Sequence, residues 1–89
     1  MLTPDYTNQF KRDYKLSEKR GLDMSLIDEL IDDLINERQL QERHKDHTLK
    51  GEYKGCRECH IEPNWLLIYR IINEDILFVR NGTHSDLFE

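Results

Sequence analysis

The spacing of apolar residues divides the chain near residue 42 into a helical first half and a strand-rich second half. Early in the chain an aromatic residue recurs every four positions, which predicts one face of a helix. These aromatic residues are Tyr6, Phe10 and Tyr14. Thr7 or Asn8 can cap the start of this helix, and Gly21 is a typical residue for its end.

A second helix is predicted from about Ser25, because its apolar residues step by one and three positions and form one broad stripe. The stripe comprises Leu26, Ile27, Leu30, Ile31, Leu34 and Ile35. Acidic residues occupy the opposite face, so much of the negative charge of the chain is expected to lie on a solvated helix surface.

Beyond Leu40 a polar connection containing Gly51 and Gly55 leads to a region where the apolar period falls toward two. This period predicts three strands, over residues 54–61, 65–72 and 76–80. Short turns join them, so an antiparallel meander is expected. The middle strand is nearly all apolar, which indicates burial on both faces, and Asn81 and Gly82 predict a further turn or bulge.

This order of elements predicts an α+β fold in which two N-terminal helices pack on one face of an antiparallel sheet. The 89 residues leave room for a single domain, over residues 1–89. The other face of the sheet is then partly open, and basic and imidazole side chains can gather there. These residues are Lys54, Arg57, His60, Arg80 and His84.

Composition excludes several classes of protein. Two cysteines are too few for a disulfide scaffold. The longest apolar run, residues 65–69, is far shorter than the about 20 residues that a membrane span needs. The N-terminus lacks the apolar segment of a signal peptide. A cytoplasmic protein without membrane contact is therefore expected.

The charge of the chain is unevenly distributed. A net charge of −5 argues mildly against nucleic acid as a partner. Residues 43–57, however, carry five basic side chains against two acidic ones. An anionic partner is expected to bind in this basic stretch, which includes Lys50, Lys54 and Arg57.

Histidine and arginine side chains of the second half can form an acid–base site. His60 ends the first predicted strand, Arg80 ends the last, and His84 follows four residues later. A meander can bring them together, and His47 can join from the preceding loop. Such a set suits cleavage of an RNA phosphodiester, because imidazoles can move both protons and arginine can stabilise the charged transition state. RNA carries its own nucleophile, so neither a metal ion nor a cofactor is expected.

A zinc site competes with this interpretation, since His44-x-x-His47 precedes Cys56-x-x-Cys59. The gap between the two pairs is shorter than the usual zinc-finger spacing. In a regular strand the two cysteines would also point to opposite faces. Both features argue against zinc.

Single residues of the predicted site also allow structural roles. Trp65 begins an apolar strand and is on pattern alone more often a core residue than a base-stacking platform. Arg80 can pair with Glu58 or Glu62. Phe88, next to the last residue, can be an apolar anchor that packs the C-terminus against the fold.

Two segments of the second half, KDHTLKGEYKGCRECHIEPNWLLIYRI and FVRNGTHSDLF, form a specific pattern. They resemble the YafQ branch of the RelE-type bacterial toxins, the toxin half of type II toxin–antitoxin pairs. The N-terminal half agrees in length and helix order but holds little diagnostic sequence, so about half of the chain carries the resemblance.

The resemblance implies a RelE-like, ribonuclease-type α+β fold with a small curved antiparallel sheet. It implies an endoribonuclease that cuts mRNA in the ribosomal A site without metal, with contacts to 16S rRNA. It further implies a cognate antitoxin that covers the site. Operator DNA is then a partner only through the toxin–antitoxin complex.

The family motifs also imply individual roles. His84 matches the histidine of the Gly-Thr-His motif and is expected to be the principal proton donor. His47 and His60 are expected to act as base or to orient the phosphate, while Arg80 stabilises the transition state. Two aromatic residues are expected to stack on the nucleotide or shape its pocket, namely Trp65 and Phe88.

One site residue departs from the family pattern, because Asn64 stands where relatives typically have aspartate. Asparagine can hydrogen-bond to a base and orient it, but it cannot accept a proton at neutral pH. Asn64 is therefore expected to bind substrate. An alternative function also stays open, a catalytically weak module of the same fold that acts mainly as antitoxin-binding partner and co-repressor.

Overall fold

The computed structural model describes residues 1–88, which form helices and strands in the order β1–α1–α2–β2–β3–β4–β5–α3. The helices are α1 (Asn8–Lys19), α2 (Met24–Ile35) and α3 (His84–Phe88). The strands are β1 (Thr3–Tyr6), β2 (His47–Thr48), β3 (Arg57–Glu62), β4 (Trp65–Ile72) and β5 (Asp75–Gly82). Two 3₁₀ turns, Glu42–His44 and Gly51–Tyr53, flank β2. The last residue of the predicted domain, Glu89, lies outside the described residues.

Both long helices begin at a capping side chain. The Thr7 hydroxyl accepts a hydrogen bond from the Phe10 N–H at 2.9 Å, which confirms the predicted start of α1. The Asp23 carboxylate accepts one from the Ser25 N–H at 3.1 Å, at the start of α2. Gly21 follows α1 with a φ of 81°, a left-handed conformation that glycine adopts without strain.

The two helices pack on one face of the sheet, as the apolar stripe predicts. Phe10 of α1 and the α2 residues Ile27, Leu30, Ile31 and Leu34 are buried against this face. We call this the helix-side core. The placement of Tyr6 on the first helix is wrong, because Tyr6 belongs to β1. Its ring nevertheless stacks on a core ring, that of Phe78, at 5.3 Å.

The sheet has the strand order β1-β5-β4-β3-β2. Antiparallel pairing from β2 to β5 confirms the predicted meander. β1 pairs in parallel with β5, with Thr3 opposite Asp75, so the five-stranded sheet is mixed. The sequence pattern does not predict β1, because Pro4 and Asp5 are unfavourable in strands and occur here in a short edge strand.

Strand bounds differ from the prediction by more than one residue at two ends. β3 begins at Arg57 rather than at residue 54, because Lys54 follows directly on a 3₁₀ turn. β5 continues to Gly82, so Asn81 and Gly82 pair with β4 instead of forming a turn. β4 has the predicted bounds, but it is buried only over its first five residues, and Arg70 begins an exposed end.

A register shift within the β4–β5 pair turns side chains of β5. Arg80 lies opposite Ile68, whereas Phe78 lies opposite Tyr69, so Val79 is the extra residue of a β-bulge. The bulge interrupts the regular alternation of faces just before the C-terminal end of the strand, where the candidate site residues follow.

The sheet face away from the helices is partly covered. Cys56, Leu66, Ile68 and Leu87 form a second buried cluster there, with Tyr53 packed against it. α3 and the 3₁₀ turn before β3 therefore cover the middle of this face, and polar residues lie around the cover. None of the helices in residues 1–88 has the length and apolar character to cross a membrane.

Candidate active site

Two of the predicted histidines meet at one carboxylate. The Nε2 atoms of His47 and His60 each lie 3.5 Å from the same atom, Oε1 of Glu58. Their ring centroids are 6.4 Å apart. The pairing of β2 with β3 places His47 directly opposite Glu58, and strand alternation places His60 on the same face. The structure thus brings these two histidines together, as the sequence predicts.

Glu58 is the residue of this cluster that the sequence reasoning missed as a site residue. Its side chain is only 8% exposed, which is rare for a carboxylate. An ionised carboxylate is a pure hydrogen-bond acceptor, so Glu58 can orient both imidazole rings by their Nε2 atoms. The signal that could have found it is the Glu58-x-His60 spacing, which in a strand puts both side chains on one face.

The backbone holds the rings of two histidines. Nδ1 of His47 lies 2.7 Å from the carbonyl oxygen of Lys45. Because a carbonyl oxygen is an acceptor, this contact is a hydrogen bond when Nδ1 carries the proton. His44 does not enter the cluster. Its Nδ1 lies 2.6 Å from the carbonyl oxygen of His60. This contact links the 3₁₀ turn Glu42–His44 to β3.

His84 begins α3, on the other side of β4 from His60. Its backbone N–H donates to Oδ1 of Asn64 at 3.2 Å, which ties α3 to the β3–β4 turn. The His84 ring lies 5.0 Å from the ring of Phe88, one helical turn later. Phe88 packs edge-on against Tyr53 at 5.7 Å and keeps 39% of its surface exposed, so a nucleotide can reach it.

A capping box fixes the start of α3. The Asp86 N–H donates to the Thr83 hydroxyl at 3.1 Å, and the Asp86 carboxylate accepts the Thr83 N–H at 2.9 Å. Arg20, at the end of α1, donates to both carboxylate oxygens at 2.6 and 3.3 Å. These contacts, that of Arg20 first, lower the pKa of Asp86 to about 2. A Cβ at Gly82 would lie 2.9 Å from the carboxylate, so glycine permits this approach.

Arg80 binds a carboxylate of the first helix. Its Nε and Nη2 atoms each donate to Asp13 at 3.0 Å. This pair raises the pKa of Arg80, which is a permanent cation. The alternative in which Arg80 pairs with Glu58 or Glu62 is wrong, because the bulge at Val79 and the proximity of α1 favour Asp13 instead.

Trp65 is a core residue. It is 2% exposed within the helix-side core, and its Nε1 atom donates to Oδ1 of Asn81 at 3.5 Å. A ring buried in this way has no face to offer to a nucleotide. The expectation that Trp65 stacks on substrate is therefore wrong, and its structural alternative is confirmed.

The basic residues of the middle stretch separate into two groups. Arg57 shares the helix side of β3, where it donates to both carboxylate oxygens of Asp46 at 3.3 and 3.2 Å. The same carboxylate accepts from the Tyr69 hydroxyl at 2.7 Å. Arg57 thus does not join His60, because strand residues three apart point to opposite faces. Lys50 and Lys54 are exposed beside the 3₁₀ turn that covers the second cluster.

The cysteines do not form a metal site with the histidines. Cys59 lies in the helix-side core and Cys56 in the second cluster, on opposite faces of the sheet as their spacing predicts. Burial raises the pKa of both thiols. Within residues 1–88 no group of three or more His, Cys, Asp or Glu is arranged to hold a metal ion. The zinc hypothesis is therefore wrong.

The site thus has two halves on either side of β4. One half holds two imidazoles on a buried carboxylate, and the other holds His84, Phe88 and the Arg80 guanidinium. β3 and β5 are roughly 10 Å apart, the width of two strand spacings. Side chains from both halves can reach toward a single phosphate that lies over β4 between them. The arrangement suits proton transfer at two atoms of one phosphodiester, beside a fixed positive charge.

Comparisons with known proteins find similar sequences and structures. Residues 2–89 match the family described as bacterial toxin of type II toxin–antitoxin system, YafQ. The mRNA interferase toxin YafQ of Escherichia coli K12 is 42% identical over 85 residues, which cover 94% of this chain and 92% of that protein. The crystal structure of YafQ from E. coli BL21(DE3) superposes with a TM-score of 0.95 at 39% identity, covering all of both chains. The toxin in the crystal structure of the E. coli DinJ–YafQ complex superposes with a TM-score of 0.93 at 40% identity, also over the full length of both.

Proposed function

The chain belongs to the YafQ family of type II toxins, and from this premise we propose that it is an mRNA endoribonuclease that cuts on the ribosome and is neutralised by a cognate antitoxin. The observation that carries the proposal is the cluster of His47, Glu58 and His60, which lies across β4 from His84. Similarity to the E. coli mRNA interferase supports the same activity.

The reaction is transesterification within the RNA. The 2′-oxygen attacks the adjacent phosphorus while the bond from phosphorus to the 5′-oxygen breaks, which leaves a 2′,3′-cyclic phosphate and a 5′-hydroxyl. His60, whose Nδ1 atom is not used by Glu58, takes the proton of the 2′-hydroxyl, and His84 gives a proton to the leaving 5′-oxygen. His47, whose two ring nitrogens face the Lys45 carbonyl and the Glu58 carboxylate, helps to orient the phosphate. Glu58 holds the pair in place, and protons balance over the step. Because the RNA supplies the nucleophile, the step needs no metal ion.

Charge and stacking supply the rest of the site. Arg80 stabilises the additional negative charge on the phosphate oxygens in the transition state. Phe88 offers an exposed ring to one base. Lys50 and Lys54 contact the phosphate backbone of mRNA or of 16S rRNA. Asn64 acts one step away from the RNA, because its side-chain oxygen holds the start of α3 through the His84 N–H.

The partners follow from the same proposal. A cognate antitoxin binds the chain and blocks the site. The existence of a complex between E. coli YafQ and DinJ supports the binding. Operator DNA is bound by the toxin–antitoxin complex and not by the free chain. Ribosomes are the place of action, so the protein works in the cytoplasm.

Asn64 gives no reason to prefer the catalytically weak module. Its Oδ1 atom accepts the His84 N–H, and an aspartate at this position would offer the same kind of acceptor. The departure from the family pattern thus leaves the placement of His84 intact.

Inducible expression in bacteria tests the function, with new mRNA 5′ ends mapped at nucleotide resolution. The wild type is expected to arrest growth and to produce cuts in phase with the reading frame. His84→Ala is expected to lower cleavage by about 10²- to 10⁴-fold, the usual contribution of a general acid.

Ser85→Ala is the matched control, because Ser85 is the exposed neighbour of His84 on α3. It is expected to cut like the wild type. Growth arrest without new 5′ ends, or cuts that survive unchanged in His84→Ala, would contradict the proposal. Co-expression with the cognate antitoxin should restore growth of the wild type.

A further inference from the structure

Asp13 is a buried carboxylate of α1 that has no role in the proton transfers proposed for the cleavage step. The residue is 7% exposed. Its Oδ1 atom accepts from Gln9 Nε2 and from Arg80 Nη2, both at 3.0 Å. Its Oδ2 atom accepts from Arg80 Nε at 3.0 Å and from the Asn81 N–H at 3.3 Å. Four donors use the acceptor capacity of the carboxylate fully.

The pair occupies one edge of the Arg80 guanidinium, and the Tyr53 hydroxyl also lies close to this group. Asp13 leaves the Nη1–Nη2 edge free. A guanidinium carries five N–H donors, of which Asp13 takes one at Nε and one at Nη2. The remaining N–H groups, at Nη1 and Nη2, form a second edge that matches two phosphate oxygens. The Arg80 side chain is 23% exposed, so a ligand can reach it.

Buried residues hold α1 in place on both sides of Asp13. Phe10, one turn before Asp13, is 3% exposed in the helix-side core. Ser17, one turn after it, is 2% exposed and donates to Oδ1 of Asn81 at 3.0 Å. Asp13 therefore lies between two anchored turns of the helix. A long arginine side chain loses rotamer freedom when it binds a ligand, and a carboxylate held in this way orders it beforehand.

We propose that Asp13 is a positioning residue for the cleavage reaction: it holds the Nε–Nη2 edge of Arg80 so that the Nη1–Nη2 edge meets the scissile phosphate. This inference rests on the proposed function, in which Arg80 stabilises the transition state. Asp13 itself does not touch the RNA. Its loss would leave Arg80 present but free to sample other orientations.

A double-mutant cycle tests the proposal with the full chain, programmed ribosomes and single-turnover cleavage of a bound mRNA. Asp13→Asn keeps the shape of the side chain but places an amide against the arginine donors. We expect it to lower the cleavage rate by more than about tenfold. In an Arg80→Ala background the same change is expected to cost less than about threefold, because the two residues act as one unit. The ribosome concentration that gives half-maximal rate should change little.

Ser17→Ala is the matched control, since it removes another buried polar contact between α1 and β5 without touching Arg80. It is expected to reduce cleavage by less than about threefold. An equal loss for Asp13→Asn in both backgrounds would overturn the proposal, as would a loss in Ser17→Ala as large as that in Asp13→Asn. If Arg80→Ala cleaves normally, the role of Arg80 and this inference both fail, while the ribonuclease function stands. If the wild type does not cleave, the proposed function itself fails.

A measurement without RNA covers the case in which Asp13→Asn does not fold. NMR of the labelled wild-type chain reports the Nε–H proton of Arg80, which is expected to exchange slowly with water because Asp13 accepts it. The conservative variant Asp13→Glu keeps a carboxylate but places it on a longer side chain. In this variant the Arg80 Nε–H proton should exchange faster with water than in the wild type. Rapid exchange of the Arg80 proton in the wild type would overturn the proposal.

Discussion

Asp86→Asn tests how strongly the contacts at the start of α3 stabilise the part of the fold that carries His84. These contacts lower the pKa of Asp86 from 3.8 to about 2, which corresponds to at most about 2.5 kcal/mol. The Asp86 and Arg20 side chains are 26% and 40% exposed, and screening by solvent reduces the contribution to about 1 kcal/mol. We therefore expect the substitution to lower the free energy of unfolding by about 1 kcal/mol near neutral pH.

The lowered pKa gives this effect a defined pH dependence. Stability from the ionised carboxylate is complete above the pKa of the unfolded state and is lost as the pH falls through the folded value of about 2. The difference in stability between wild type and Asp86→Asn should therefore be constant from about pH 7 down to about pH 5. It should shrink to less than half by about pH 2.5.

Urea denaturation followed by far-UV circular dichroism measures both free energies at each pH. Asp75→Asn is the control, because Asp75 is an exposed carboxylate at the start of β5, and its change is expected to stay within about 0.5 kcal/mol. The reasoning is refuted if Asp86→Asn is no less stable than Asp75→Asn at neutral pH. A destabilisation of the same size at neutral and acidic pH would also refute it.

Three further substitutions test single assignments in the single-turnover cleavage assay. Asn64→Asp should keep the rate within about threefold, whereas Asn64→Ala should lose about fivefold, because only an acceptor for a backbone N–H is needed; equal losses would contradict this. Glu58→Gln should slow cleavage by about tenfold or more, since it weakens charge-assisted contacts to two imidazoles; an unchanged rate would remove Glu58 from the site. Trp65→Phe should cleave normally yet unfold at lower urea, as expected of a core residue; a large loss of cleavage in a stable variant would restore the stacking role.

The elements of this fold are predictable where the local pattern is strong. α2 and β4 follow from their apolar periods, and Thr7 and Gly21 mark the ends of α1 through preferences that act within a few residues. β1 escapes prediction, since a parallel edge strand gains its stability from pairing with β5, at the other end of the chain.

The site was predictable only in part, for the same physical reason. Residue type and predicted strand order identify His47, His60, Arg80 and His84 as candidate site residues, and the family resemblance adds their individual roles. The partner of Arg80 is 67 residues away in sequence. The helical period places Asp13 on the same face of α1 as Phe10 and Ser17, but it does not reveal which residue the carboxylate binds. The face of Arg57 could have been inferred, because strand alternation separates it from His60 once the bounds of β3 are known.

The most direct test of the account asks whether the RNA supplies the nucleophile. Purified protein is added to ribosomes programmed with an mRNA whose cut site has been mapped, and with a second mRNA that carries a single 2′-deoxynucleotide on the 5′ side of that site. The account predicts a product with a 2′,3′-cyclic phosphate from the first mRNA and no cut at that position in the second. Cleavage of the deoxy-substituted mRNA at an unchanged rate would contradict it, because an external nucleophile would then carry out the attack and the His47–Glu58–His60 cluster would have no 2′-hydroxyl to deprotonate.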